Sequence, residues 1–286
     1  MTLTLLVGIY AALLGLVVGS YLNVVIYRVP RRLSTVTPRS RCPSCHGAIR
    51  PWDNIPVLSW LALGGKCRSC KAPISARYPA IEAVTALFFV LCFLQWGLSI
   101  DALAGSIFSA AMIALAAIDA EHFLLPDKIT YPGIALGLLL QPWRYGPGLR
   151  SAAIGAALGA GLLLAIWAGW YLLRKEEGMG LGDVKMLAMI GAFLGWKAML
   201  VTFFFAILSG AVIGVGMVLL GRGRDLPAEP AGEPHDSEGE TNDREVSNEP
   251  VSWSQAKLPF GVFLAVSALV SQFVGDSIAD AYLRLL

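Results

Sequence analysis

Charge is what this sequence has least of. Lysine, arginine, aspartate and glutamate supply only 15% of the residues, while hydrophobic side chains supply 56%. That balance excludes an ordinary soluble domain and fits a polytopic membrane protein. Histidine is scarcer still: His46, His122 and His235 are the only three, and their spacing does not make a metal cluster. No Ser/His/Asp order, HExxH helix or nucleotide-binding loop is present, which removes the usual serine hydrolases, zincins and P-loop enzymes. The first apolar run lacks a basic n-region and leads straight into an arginine-rich segment, so it is expected to be a retained helix and not a cleaved signal peptide.

What is present is a series of apolar runs. At about 20 apolar residues per span, the chain reads as all-α and polytopic. About eight transmembrane helices are expected, over 3–26, 80–97, 102–118, 130–140, 151–173, 184–194, 198–220 and 258–279. The fourth and sixth are short. If residues 27–79 face the cytoplasm, 18 of the 22 basic residues fall on that side, as the distribution of Lys and Arg around membrane spans requires. Both termini are then outside.

The one sizeable loop between the early spans carries Cys42-Pro43-Ser44-Cys45 and Cys67-Arg68-Ser69-Cys70, two CxxC pairs with 21 residues between them. This is close to the zinc-ribbon pattern, in which each pair gives two thiolates to a tetrahedral structural Zn²⁺. Cys42 to His46 also reads as CxxCH, the haem-attachment pattern, but haem attachment and disulfides both belong outside the cytoplasm. A redox CxxC normally sits on a thioredoxin-like unit, for which there is no pattern here. Cys92, in the second span, reads as a small buried residue.

Acids at membrane boundaries form the second signal, because ionisable groups at membrane depth are costly and tend to mark working sites. Asp119 closes the third span, Asp127 follows a proline before the fourth, and Asp183 ends the glycine-rich run Gly178-Met179-Gly180-Leu181-Gly182-Asp183. Counting spans puts Asp119 and Asp183 on the same side, 64 residues apart in sequence. Two close carboxylates cannot both ionise easily, so one holds a proton while the other activates water, as in an aspartic peptidase. The other reading makes Asp119 and Asp127 boundary residues solvated by head groups, with Glu121 and His122 as ordinary loop residues and the glycine-rich run as a connector between helices.

Lesser features have plainer readings. Asn23 is expected to hydrogen-bond a neighbouring helix, Arg28 to anchor at the interface, Asp53 to sit in a turn and Glu82 to favour a helix N-terminus. Residues 225–250 hold nine acids, one base and four prolines, too polar to bury a core, so 222–257 is expected to be a disordered cytoplasmic loop. Leu258-Pro259-Phe260-Gly261 opens the last span, with proline suited to a helix start and glycine to close packing. No internal repeat is evident.

Several stretches together resemble the type IV prepilin leader peptidases, bacterial GxGD-type membrane aspartic peptidases that also serve type II secretion. They are GSYLNVVIYRVP at 19–30, the two CxxC pairs around DNIPVLSW at 42–70, DAEHFLLPDKIT at 119–130, GMGLGDVKML at 178–187 and LPFG at 258–261. The resemblance implies removal of a short basic leader from prepilins and pseudopilins after a glycine, on the cytoplasmic side of the inner membrane. It also implies N-methylation of the new N-terminus, usually phenylalanine, with S-adenosylmethionine as donor. It maps the catalytic pair onto Asp119 and Asp183, with Asp127 as nearest competitor, and the zinc ligands onto Cys42, Cys45, Cys67 and Cys70. The implied partners are precursor helices and the lipid bilayer, without nucleic acid.

The expected organisation is a first helix over 1–26, a zinc-binding loop associated with methylation over 27–79, a peptidase core over 80–221, the acidic loop over 222–257 and a last helix over 258–286. Two departures stand out: the acidic segment is longer than the family leads one to expect, and Val262 stands where a proline is common. Two functions from other classes remain alternatives. A proton-coupled transporter would place its acids near the midplane and often shows inverted repeats, and a non-catalytic scaffold could simply present the zinc ribbon.

Overall fold

In lipid a backbone has no water to bond, so each apolar run must close its N–H and C=O bonds within itself, and helices result. The computed structural model describes residues 2–175, 180–219 and 258–285. It contains α1 (Thr2–Arg28), α2 (Leu58–Ala62), α3 (Arg77–Trp96), α4 (Ile100–His122), α5 (Asp127–Leu140), α6 (Gly148–Arg174), α7 (Leu181–Leu219) and α8 (Phe260–Leu283). Six of these, all but α2 and α5, are long and apolar enough to cross a membrane. Among the described residues there is no strand, only two isolated bridges, Arg41 to Ala48 and Lys66 to Pro73.

The eight expected spans emerge once α7 is recognised as a hairpin. Its 39 residues are broken at Gly195, where φ 78° and ψ 174° lie outside the helical region. Near its start Gly182 packs on Leu125, and near its end Gly210 and Gly214 pack on Phe263 and Leu258. Both ends therefore lie beside the start of α8, whose Gly261 also touches Leu125. The break lies at the far end, against Pro147 and Ser151, where Ala198 meets Gly275. The first limb, 181–194, thus runs away from the α8 start and the second, 196–219, runs back. Helix α5 is short, but it follows the first limb from the Asp127–Lys185 ion pair to a hydrogen bond from Gln141 to Ala192, and so covers the same depth.

Breaking a helix frees carbonyls that lipid cannot satisfy. Gln141 Nε2 donates to the Ala192 carbonyl at 2.9 Å and Arg144 Nη1 to the Phe193 carbonyl at 2.8 Å. Arg144 Nε donates in turn to Asp101 at 2.9 Å, and the second Asp101 oxygen accepts from the Tyr145 N–H. Both partners of this ion pair are almost fully buried. Arg144→Ala strands a carboxylate and a carbonyl together, so we expect a loss of about 3 kcal/mol or more, read as a lowered thermal midpoint of the detergent-solubilised protein.

Small residues set how closely the helices cross. A Cβ on Gly155 of α6 would lie 2.8 Å from the Gly191 carbonyl oxygen, and one on Gly19 of α1 would lie 2.7 Å from Glu82 Cα on α3. Helix α4 is the hub. Within its apolar stretch 61% of residues are buried, against 22–39% in the other five long spans, because α1, α3, α5 and α8 all pack around it.

Candidate active site and metal centre

The two CxxC segments fold as two copies of one knuckle. In the first, Cys42 N–H donates to Gly47 O and His46 N–H to Cys42 O; in the second, Cys67 N–H donates to Ala72 O and Lys71 N–H to Cys67 O. His46 and Lys71 occupy matching left-handed positions, φ 55° and 61°, and each knuckle is closed by its own bridge. The expectation of no internal repeat is thereby corrected. Only four of eight residues match between CPSCHGAI and CRSCKAPI, and backbone hydrogen bonding, not side-chain identity, carries the likeness.

The four sulfurs lie within 4.8 Å of one another, with Cys42 and Cys70 at 3.8 Å. A tetrahedron with metal–sulfur bonds of about 2.3 Å has edges of about 3.8 Å, so the donor set fits a four-coordinate soft cation. Backbone N–H groups of Cys45 and Ser44 lower the Cys42 thiol to about 6, and those of Cys70 and Ser69 lower Cys67. For Cys70 the Ala72 amide likewise lowers the thiol, yet desolvation and the crowded thiols of Cys45, Cys67 and Cys42 outweigh it and push it up to about 11. Four thiols this close resist full ionisation unless a cation sits among them.

At one end of the core helices, Asp119 and Asp183 come together. Asp119 occupies the last turn of α4 and is 5% exposed; Asp183 occupies the first turn of α7 and is 9% exposed. Leu125 packs beside them, with Gly182 and Gly261 both against its side chain. Asp183 enjoys the partial positive charge of its own helix start, whereas Asp119 sits at a helix end where carbonyls point at it. The start of α8 compensates: Val262 N–H donates to Asp119 Oδ2 at 3.2 Å. A proline at 262 would have no such N–H, so the sequence departure at this position adds a donor to one member of the pair.

Gly261 makes this approach possible, since a Cβ there would stand 2.8 Å from Asp119 Oδ2. Sequence reasoning saw in LPFG a helix start and a close-packing glycine but not the carboxylate it packs against. The two acids sit at helix ends and not in mid-helix, which differs from the midplane placement expected of a proton-coupled transporter.

Asp127 is not with them. It is ion-paired to Lys185 at 2.6 Å, with its side chain 56% exposed. Asn23 does reach a neighbouring helix, donating to Tyr78 O at 3.1 Å. Asp53 lies in a 3-10 turn and grips Arg68 through two hydrogen-bonded nitrogens, which holds its carboxyl below the usual range and fastens the apolar segment to the second knuckle. Arg28 proves to be more than an interface anchor, since it donates to the carbonyls of Ser34 and Pro38 and so shapes the loop. Glu121 and His122 are not loop residues but the last turn of α4, where Glu121 pairs with Arg77 and His122 contacts Arg31. Gly178, Met179 and the acidic segment 225–250 lie outside the described residues.

Comparison with known proteins now bears on this arrangement. Residues 13–96 match the family described as the bacterial peptidase A24 N-terminal domain, and residues 106–215 match the type IV leader peptidase family. A prepilin leader peptidase/N-methyltransferase of Myxococcus xanthus is 41% identical over 235 residues, covering 80% of this chain and 70% of that protein. The chain belongs to this peptidase family. Proteins of the same name from Pseudomonas aeruginosa and Burkholderia pseudomallei are 35% and 37% identical, covering 95% and 93% of this chain and 92% and 85% of their own lengths. No solved structure matches. The chain is thus a multi-pass membrane protein of the peptidase family, and both of its paired acids fall within the matched region 106–215. Nothing in the comparisons favours a transporter or a passive scaffold. For the methyl donor, the described residues contain no strand and hence no strand-to-helix glycine loop of the dinucleotide-fold kind.

Proposed function

We propose that this protein removes the basic leader from type IV prepilins or type II secretion pseudopilins, cutting after glycine, and methylates the amine it exposes. Asp119 and Asp183 are the catalytic pair in this reading. The observation that carries it is the convergence of two buried carboxylates from helices 64 residues apart, lined by Gly182 and Gly261. One acid keeps a proton and polarises the scissile carbonyl while the other takes a proton from water. Hydrolysis then proceeds without a covalent intermediate. The glycines let Leu125 and the start of α8 close around the acids, beside which a substrate helix must unwind before its amide can be attacked.

The active site lies at the cytoplasmic face of the bacterial inner membrane in this reading, on the side to which the basic residues assign the 27–79 loop. The functional division follows the expected one, with residues 27–79 as a metal-binding loop tied to methylation, 80–221 as the peptidase core, 222–257 as an acidic loop and 258–286 as the last helix. Zn²⁺ held by Cys42, Cys45, Cys67 and Cys70 would be structural, since four cysteines leave no open position for substrate. The methyl donor is S-adenosylmethionine.

The test is incubation of purified protein with a prepilin and S-adenosylmethionine, followed by mass analysis of the product. A product beginning after the leader glycine and carrying one added methyl is expected; an uncut precursor would reject the reading. For the metal, analysis of freshly purified protein should give about one zinc per chain, and Cys42→Ser should lose it. Metal-free wild type would defeat the zinc assignment.

A further inference from the structure

A second polar cluster lies between α1 and α3, where the metal-binding loop joins the membrane helices. Glu82 is 7% exposed, yet among the described residues no cation pairs with it. Its Oε2 accepts from the Val57 N–H at 2.7 Å, and the Ser20 hydroxyl lies beside it. One helical turn away is Asn23, 4% exposed, whose Nδ2 donates to Gly19 O and Tyr78 O while its Oδ1 has no partner among the described residues. Gly19 brings the two rungs together, because it packs on Glu82 Cα and is bonded by Asn23.

An acidic acceptor without a cation and a buried amide oxygen without a donor, about one helical turn apart, call for a donor-rich positive group. Arg77, near the start of α3, does not fill that need, since Glu121 takes it. The approach to the cluster is apolar. Val57 is held at φ 60°, ψ −51°, a strained setting for a β-branched residue, and such strain concentrates at working sites. Around it Trp52, Ile55, Leu58 and Leu61 are exposed by 47–65%, an apolar shelf suited to a hydrophobic segment.

We infer that Glu82 and Asn23 seat a primary ammonium, the newly freed N-terminus of a cleaved apolar segment, and that Glu82 takes its proton. This rests on the cleavage reading above. The step balances simply: an N–H bond breaks, an O–H bond forms on the Glu82 carboxylate, and the electron pair stays on nitrogen. The amine becomes nucleophilic, as methylation requires, and the proton returns to water when the product leaves. Asn23 Oδ1 orients the same nitrogen.

The probe is a synthetic peptide with the mature N-terminal segment of a pilin, starting at a free phenylalanine, compared with its N-acetylated twin. Binding is measured to the full-length protein in detergent without a methyl donor. Wild type should bind the free amine about tenfold tighter or more. Glu82→Gln, which keeps an oxygen acceptor for Val57 N–H, should lose that preference, and methylation of the peptide should fall about 10²-fold. Metal content and thermal midpoint report that the variant is folded. Glu82→Asp keeps the carboxylate and should retain part of the preference. Equal binding of both peptides by wild type, an undiminished preference in Glu82→Gln, or equal loss in the Gln and Asp variants would overturn the inference. Failure of wild type to cleave a prepilin would defeat the cleavage reading instead, and the binding result would still decide this one.

Discussion

Asp119→Asn and Asp183→Asn should each lower leader cleavage by roughly 10³-fold or more, and the double variant should be little worse than either alone. Asparagine has the shape of aspartate, and at 119 its oxygen can still accept from Val262 N–H. The start of α8 therefore stays in place and the protein still inserts. What is lost is the exchangeable proton. With one acid and one amide the site cannot both polarise a carbonyl and deprotonate water, so two single losses do not add. Gel quantification of precursor and product over a time course checks this. Cleavage at more than a tenth of the wild-type rate by either variant would reject the pair. Asp127→Asn should cleave at close to the wild-type rate, because its carboxylate is turned to Lys185 at the surface.

The second large effect is at a residue with no functional group. Gly261→Ala should cut cleavage by about 10²-fold, since displacement of a reacting group by about 1 Å is enough to do so. The added methyl would meet Asp119 Oδ2 at 2.8 Å and the Leu125 side chain at 3.2 Å. Either Asp119 turns away from Asp183, or the start of α8 retreats and withdraws the Val262 N–H. Gly161→Ala and Gly169→Ala are the controls, because nothing lies within 4 Å of a Cβ at either position. Initial rates under saturating and limiting substrate separate the outcomes. A fall in kcat with KM nearly unchanged indicates a misplaced acid, whereas wild-type kinetics in Gly261→Ala would show that the contact with Asp119 does not matter.

How far the sequence could be read depended on the range of each signal. The apolar runs were legible because burying a backbone in lipid demands about 20 apolar residues in a row, a purely local rule. Their relation was not: that 181–194 and 196–219 fold back on each other is set at Gly195 and secured by Gln141, Arg144 and Asp101, which come from two other segments. The cysteine pairs were legible because a knuckle's ligand spacing is local. Its doubling was hidden, since the likeness resides in backbone hydrogen bonds and left-handed residues at His46 and Lys71.

Glu82 and Arg28 were underestimated for the same reason. Each has an adequate local explanation, a helix start for one and a lipid interface for the other, and nothing nearby in sequence points to the Val57 amide or to the carbonyls of Ser34 and Pro38.

The sequence by itself determined an all-helical membrane protein, a four-cysteine cluster and two acids on one side of the bilayer, since chain length, apolar content and span parity are additive along the chain. Only the tertiary structure decided that Gly182 and Gly261 close on Leu125 beside the acids, that Asp127 pairs with Lys185, and that α8 supplies an amide to Asp119. Those outcomes depend on which helix faces pack, and packing is settled by close contacts between distant residues, as between Asp119 and Val262, 143 positions apart, which no local pattern records.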